Sequence, residues 1–187
     1  MNERVANVVS SDTGWGFTRR HERAARDEEF TAFVAAATPR LRRTAYLMCR
    51  DWHLAQDLTQ LTLARMYASW GRIGRNANLA AYSRRVLMNA VFDQRKRRSG
   101  AEVVLADLPD RPGDPAGPTA ELHVTLMRAL STLPVRDQAI VVLRHWEDHS
   151  VDTVAEILGV SASVVKMRSM RALGRLRELL GEDFVLQ

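Results

Sequence analysis

Apolar positions recur at spacings of three and four along most of this chain, the period of helices buried on one face. Phe30, Phe33 and Val34, then Leu41, Ala45, Tyr46 and Met48, predict helix from Asp27 onward. Pro39 follows Thr38, where it can open a helix rather than break one. Leu54, Leu58, Leu61 and Tyr67 mark a second helix ending near Trp70. A third runs from Leu79 to about Arg98, after the loop "GRIGRNAN". No alternating strand pattern with turn dipeptides interrupts this block. Beyond residue 120 the helical period resumes at Leu122, Leu126, Met127 and Leu130, then Ile140, Val141 and Leu143, then Val154, Ile157 and Leu158. Pro134 separates the first two of these later helices. The predicted fold class is all-α.

Between the two helical blocks the composition changes. Residues 99–120 hold four of the six prolines, Pro109, Pro112, Pro115 and Pro118, and the acids Glu102, Asp107, Asp110 and Asp114 against Arg111 alone. That stretch reads as a flexible acidic linker stiffened by proline, able to span at most roughly 70 Å when extended. Residues 1–26 lack sustained periodicity and read as a flexible N-terminal extension. The expected organisation is thus an extension (1–26), a first helical domain (27–98), the linker (99–120) and a second helical domain (121–187).

The second domain carries the more specific signal. Ser150 is placed to cap a short helix over 151–158, and Gly159 supplies the left-handed stop. Ser161 can cap the helix that follows, Ala155 is small where the two must cross, and Val165 fills the wedge between them. This is a helix-turn-helix, whose second helix enters the major groove by its N-terminal residues. Its buried side would run through Val165, Ser169, Ala172, Leu176 and Leu179 or Leu180. The opposite side would offer Ser163, Val164, Lys166, Met167, Met170 and Arg171, with Arg168 and Arg175 also on this helix. A merely solvated face interleaves acids for i,i+4 pairing. None occurs between Ser161 and Arg177.

Charge extends the picture. The chain of 187 residues carries a formal net charge of +5, which favours a polyanionic partner. In "AYSRRVLMNAVFDQRKRR" the bases Arg84, Arg85, Arg95, Lys96, Arg97 and Arg98 face Asp93 alone, with Tyr82 and Trp70 nearby. Arginines beside aromatics suit single-stranded nucleic acid, because unstacked bases lie on rings while phosphates meet guanidinium groups. Asn76 and Asn89 are amides able to read base edges. The single cysteine, Cys49, excludes an internal disulfide and suits a reducing cytosol. No stretch approaches the ~18 apolar residues of a membrane span, so a soluble, cytoplasmic protein without membrane insertion is expected.

Together these segments resemble the extracytoplasmic-function (ECF) sigma factors of the sigma-70 family. "RLRRTAYLMCRDWHLAQDLTQLTLARMYASW" is similar to regions 2.1–2.2, "NLAAYSRRVLMNAVFDQRKRR" to regions 2.3–2.4, and "ALSTLPVRDQAIVVLRHWEDHSVDTVAEILGVSASVVKMRSMRAL" to region 4. The resemblance implies a promoter-specificity subunit that binds core RNA polymerase through its beta-prime clamp and beta subunits, and that recognises the −10 and −35 elements of promoter DNA. It implies polymerase contacts at Leu54, Asp57, Leu58, Gln60 and Leu61, with Thr59 in the same segment. It places −10 recognition on Trp70, Asn76, Tyr82, Arg85, Asn89, Asp93 and Arg97, and −35 recognition on Ser163, Val164, Lys166, Met167, Arg168 and Arg171. An anti-sigma factor is a further implied partner, and the acidic linker would thread toward the polymerase cleft. The chain departs from the family pattern at Gln56 and Leu61, where acids are common, at Tyr82 in place of Trp, and at Ser163, Val164 and Met167 in place of Gly, Thr and Ser.

Neither catalysis nor a cofactor is expected. His145 and His149 in "HWEDH" sit four apart, but a zinc-protease signature needs Glu directly after the first His, and Trp146 stands there. Asp51, His53 and Asp57 form an equally weak metal cluster, so no metal site is assigned. A rival reading is a transcription regulator that binds operators through the same helix-turn-helix without serving as a polymerase subunit. The "DLTQ" helix followed by the basic Asn89–Arg98 segment argues against it.

Overall fold

The computed structural model describes residues 14–73, 77–98 and 118–181, and among these every regular element is helical. In chain order the helices are α1 (Gly14–Cys49), α2 (Trp52–Ser69), α3 (Leu79–Arg98), α4 (Pro118–Thr132), α5 (Val135–Val141), α6 (Val151–Leu158) and α7 (Ala162–Leu180). A 3₁₀ turn, Trp70–Arg72, follows α2, and a widened π turn, Val142–Trp146, continues α5. Among the described residues no helix is long and apolar enough to cross a membrane.

The chain forms two compact units, Met1–Ala36 and Ala37–Gln187. In the first, the described residues belong to α1, where the Phe30 and Phe33 rings lie 6.4 Å apart and Thr31 Oγ1 donates to the Asp27 carbonyl. Two expectations are corrected here. Of the extension expected over 1–26, residues 1–13 lie outside the described residues and residues 14–26 are helical, not irregular. The run "RRHERAARDEE" is rich in Arg, Ala and Glu, whose helix propensity needs no apolar period to express itself. Pro39 does not open a helix but lies inside α1. Its ring removes one intrahelical N–H, and the boundary between the units falls just before it.

The second unit has one contiguous core that draws on both helical blocks. Leu41, Tyr46, Met48, Leu87, Met88 and Val91 come from the first, and Met127, Ile140, Leu143, Val154, Val165 and Leu176 from the second. Each such side chain removed from water contributes roughly 1.5–3 kcal/mol. α3 packs on α2 and also on α6 and α5, while α7 packs on α4, α5 and α6. The two helical domains are therefore docked on one another, whatever the span of the residues joining them. Residues 99–117 of the expected linker lie outside the described residues.

Polar bonds cross this docking surface. Gln138, wholly buried on α5, donates from Nε2 to the Leu47 carbonyl at the end of α1 at 2.8 Å. Arg50, held at φ 58° just after α1, donates from Nη1 to Ser131 Oγ on α4 at 2.8 Å. Glu147, in the turn before α6, accepts from Arg84 of α3 and from Thr44 of α1.

Candidate nucleic-acid interface

The helix-turn-helix is built as its sequence dictates. Ser150 Oγ accepts from the Thr153 N–H at 3.1 Å and starts α6. Gly159 ends it at φ 64°, where no side chain is tolerated without strain. The Gly159 N–H reaches the Glu156 carbonyl and the Val160 N–H the Ala155 carbonyl at 3.0 Å, the paired bonds of a Schellman stop. Ser161 Oγ then accepts from Val164 N–H at the head of α7. Val154 and Ile157 of α6 and Val165, Ala172 and Leu176 of α7 close the wedge, all buried. Of the expected buried side, Ser169 is half-buried and Leu179 is 52% exposed, leaving the end of the stripe to Leu180.

The outer face of α7 carries Ser163, Lys166, Met167, Met170 and Arg171, all exposed, with Val164 half-buried at its edge. At 100° per residue, Ser163, Met167, Met170 and Arg171 fall within about 100° of arc. Arg168 differs from the other residues proposed to read the −35 element. Its Nη1 lies 2.7 Å from Asp137 Oδ1 in the first turn of α5, so it braces α7 against α5 instead of standing free on the groove face.

On α3 the second candidate face emerges. Asn78 Oδ1 caps the helix by accepting from the Ala81 N–H at 3.0 Å. Leu87, Met88 and Val91 point into the core, leaving Arg85, Asn89, Asp93 and Arg97 exposed on the other side, with Tyr82 half-buried at the head of their stripe. Asp93 lies 3.9 Å from Arg65 of α2, and Arg97 Nε donates to the Asp93 carbonyl. Trp70 is half-buried in the 3₁₀ turn after α2, and Asn76 lies outside the described residues. Arg84, next to Arg85 in sequence and about 100° round the helix from it, is buried.

Along α2, capped by Asp51 on the Leu54 N–H at 2.9 Å, the segment expected to meet polymerase divides. Asp57, Gln60 and Leu61 are exposed and Leu54 is half-buried. Leu58 is 4% exposed and belongs to the core, and Thr59 is likewise buried with its hydroxyl on the Ala55 carbonyl. Leu58 therefore packs α2 into the core and is not on its exposed stripe. The core face of α2 also holds small and hydroxylated residues, Ala55, Thr59 and Thr62. Tyr67, 47% exposed two turns after Gln60, stands on the outer stripe and was not singled out as a contact from sequence.

Among the described residues no group of three His, Cys, Asp or Glu side chains converges as a metal site would require. His145 Nε2 faces Ser169 Oγ at 3.4 Å, whereas His149 Nε2 lies 3.5 Å from Glu147. Burial lowers the pKa of both rings from the ordinary histidine value, with cationic neighbours, Arg144 and Arg84 respectively, adding to the effect. Burial pushes the Cys49 thiol up to about 11, far from a nucleophile's range.

Comparison with known proteins agrees with this geometry. The family description "Sigma-70 region 2" matches residues 33–100, and "Sigma-70, region 4" matches residues 123–176. The RNA polymerase sigma-E factor of Streptomyces coelicolor is 39% identical, over 81% of this chain and 86% of that one. The ECF RNA polymerase sigma factor SigM of Mycobacterium tuberculosis is 31% identical, over 89% of each. Among solved structures, the sigma factor RpoE of Bartonella quintana, in complex with the anti-sigma factor NepR, superposes with a TM-score of 0.72. That match has 25% identity and covers 84% of this chain and 99% of the other. Region 2 and region 4 in this order support a polymerase sigma factor, not a free-standing operator-binding regulator. The chain belongs to the sigma-70 family, as a member of its ECF group.

Proposed function

We propose that this chain carries out sigma-factor work by dividing it among three faces. As an RNA polymerase sigma factor it directs promoter-specific initiation. The outer stripe of α2, Asp57, Gln60 and Leu61, meets the beta-prime clamp of core polymerase. The α3 stripe of Tyr82, Arg85, Asn89 and Arg97 takes the −10 element, phosphates going to the arginines and unstacked bases to the ring and amide. Trp70 lies on the approach to that stripe, Asn76 is assigned to the same element from the sequence, and Asp93 braces the stripe toward α2. The face of α7 reads the −35 element as duplex, with Lys166 and Arg171 on phosphates and Ser163, Val164 and Met167 toward base edges. Val164 and Met167 favour thymine methyl groups over hydrogen-bonding edges.

One observation carries this reading: an acid-free basic face on a Schellman-stopped helix-turn-helix, in the same chain as a second, differently built basic helix with aromatics beside it. A duplex reader alone has no use for the second. The chain performs no catalysis of its own, works in the cytoplasm without a cofactor, and its acidic linker occupies a basic channel in polymerase. The relative RpoE was solved with an anti-sigma factor, which supports a partner of that kind here. Run-off transcription with core polymerase, with and without the chain, tests the proposal. Discrete new start sites sharing two upstream elements are expected. Failure to bind core polymerase at all overturns it.

A further inference from the structure

α7 carries a row of cations along one flank of its reading face. At 100° per residue, Arg168, Arg171 and Arg175 fall within about 60° of arc, and Arg168 begins the row at its N-terminal end. Arg171 and Arg175 are exposed. Lys166, also exposed, lies about 100° from Met167 on the opposite flank, as Arg168 does on its own. The second helix of such a motif enters the groove by its N-terminal residues. Lys166 and Arg168 are therefore the cations best placed for the two phosphate strands that border the groove.

Arg168 is met by an acid that α7 does not itself supply. No acid occurs in α7 before Glu178, and the carboxylate comes from Asp137 in the first turn of α5. Its Oδ1 lies 2.7 Å from Arg168 Nη1, and the two side chains are 17% and 38% exposed respectively. The Asp137 N–H, on the Pro134 carbonyl at 2.8 Å, fixes the residue at the head of its helix.

Packing has little need of this pair. α5 already packs on α7, and Ile140, Val165 and Leu176 belong to one buried core. A partly exposed ion pair adds only modestly to such a contact. Its larger consequence is electrostatic. A guanidinium this close to a carboxylate offers an approaching phosphate almost no net charge, and the carboxylate itself repels the phosphate.

We propose that Asp137 is a positioning residue that withholds Arg168 from the DNA backbone and so limits the sequence-independent affinity of α7 for duplex. This rests on the reading of α7 as the −35 face. A phosphate contact strengthens binding to every sequence alike. One cation fewer therefore lowers retention on non-promoter DNA and leaves the base contacts of Ser163, Val164 and Met167 untouched. Each phosphate contact adds about 0.9 to the slope of log affinity against log salt, and its worth fades toward about 1 M. Release of Arg168 should then tighten binding by up to roughly 15-fold at 50 mM salt and roughly 4-fold at 200 mM.

The test uses the full chain and a labelled duplex of mixed sequence, since the contact at issue is to the backbone. Asp137→Asn, Asp137→Glu, Arg168→Ala and the D137N/R168A double variant are compared with wild type by fluorescence anisotropy between 50 and 200 mM salt. Urea midpoints check that each is folded. D137N is expected to bind several-fold more tightly at 50 mM and to gain about 0.9 in slope. D137E, which keeps the carboxylate, should stay close to wild type. The double variant should match R168A, because the gain in D137N needs the guanidinium. If D137N fails to fold, Asp137→Ser decides by the same readouts. An unchanged slope in the decisive variant overturns the inference. So does an equal gain in the R168A background, which assigns the effect to net charge alone. Absence of salt-dependent binding by wild type and every variant overturns instead the reading of α7 as a DNA face.

Discussion

Arg168 and Arg171 are three residues apart on α7 and look interchangeable in sequence, yet the structure gives them different work. Arg171 is exposed on the outer face, while Arg168 is paired to Asp137 at 2.7 Å with 38% of its side chain exposed. Replacing each by alanine separates the roles. Each phosphate contact adds about 0.9 to the slope of log affinity against log salt on duplex DNA. Between 50 and 200 mM salt, a 0.6 decade change, one lost contact removes roughly 3.5-fold from the salt sensitivity. Arg171→Ala is therefore expected to bind a −35 duplex more weakly at 50 mM salt and to lose about 0.9 from the slope. Arg168→Ala should keep the slope and instead lower stability by about 0.5–1 kcal/mol, the scale of a partly exposed pair. Fluorescence anisotropy of a labelled duplex across salt concentrations, with urea unfolding of each variant, measures both. Equal loss of slope in the two variants would refute the assignment of Arg168 as a brace. An unchanged slope in Arg171→Ala would remove that residue from the phosphate contacts.

Gly159→Ala should cost about 1–2 kcal/mol, because a Cβ there meets nothing within 4 Å and only the left-handed backbone is strained; Gly159→Asn should cost less, and equal urea midpoints for all three chains would contradict this. Leu58→Ala should destabilise the fold by about 2–5 kcal/mol, whereas Leu61→Ala, 37% exposed, should leave the urea midpoint nearly unchanged and weaken capture by immobilised core polymerase. His145 and His149 have folded pKa values below the ordinary 6.5, so the unfolded chain takes up protons first as pH falls through that value. Their contribution to stability is thus full above pH 6.5 and declines below it. The urea midpoint should drop between pH 7.5 and 5.5 by less in a His145→Gln, His149→Gln double variant than in the wild type, and an equal drop in both would show that other groups set the dependence.

Much of the fold is readable because its signals are local. A cap, a glycine stop and a second cap within twelve residues, Ser150 to Ser161, specify the helix-turn-helix without reference to the rest of the chain. The outer face of α7 follows from period, since Val165, Ala172 and Leu176 mark its core side, whereas on α3 the buried Ser83 and Arg84 interrupt the apolar stripe. α2 defeated the same reasoning. Its core face is built from Ala55, Leu58, Thr59, Thr62 and Met66, and the buried threonines satisfy their hydroxyls on carbonyls four residues back. A stripe that polar by composition looks like surface, and Leu58, assigned as a contact through the family resemblance, lies within it.

The charged residues set a harder limit. Arg84 and Arg85 are adjacent, and nothing in the local sequence says that one is buried and the other exposed beyond the direction in which each points. Burial of a guanidinium is tolerable only opposite a counter-charge, because an unpaired ion out of water costs several kcal/mol. That counter-charge lies 63 residues away, across the composition break, in the pentapeptide "HWEDH". Arg84 is therefore legible as a base and illegible as a partner until the domains meet. The same holds for Gln138, whose amide bonds a carbonyl 91 residues away. Periodicity tells which side of a helix is covered, but not by what. Where the cover is another domain of the same chain, the polar residues beneath it, Arg84 and Gln138, show that the contact is specific.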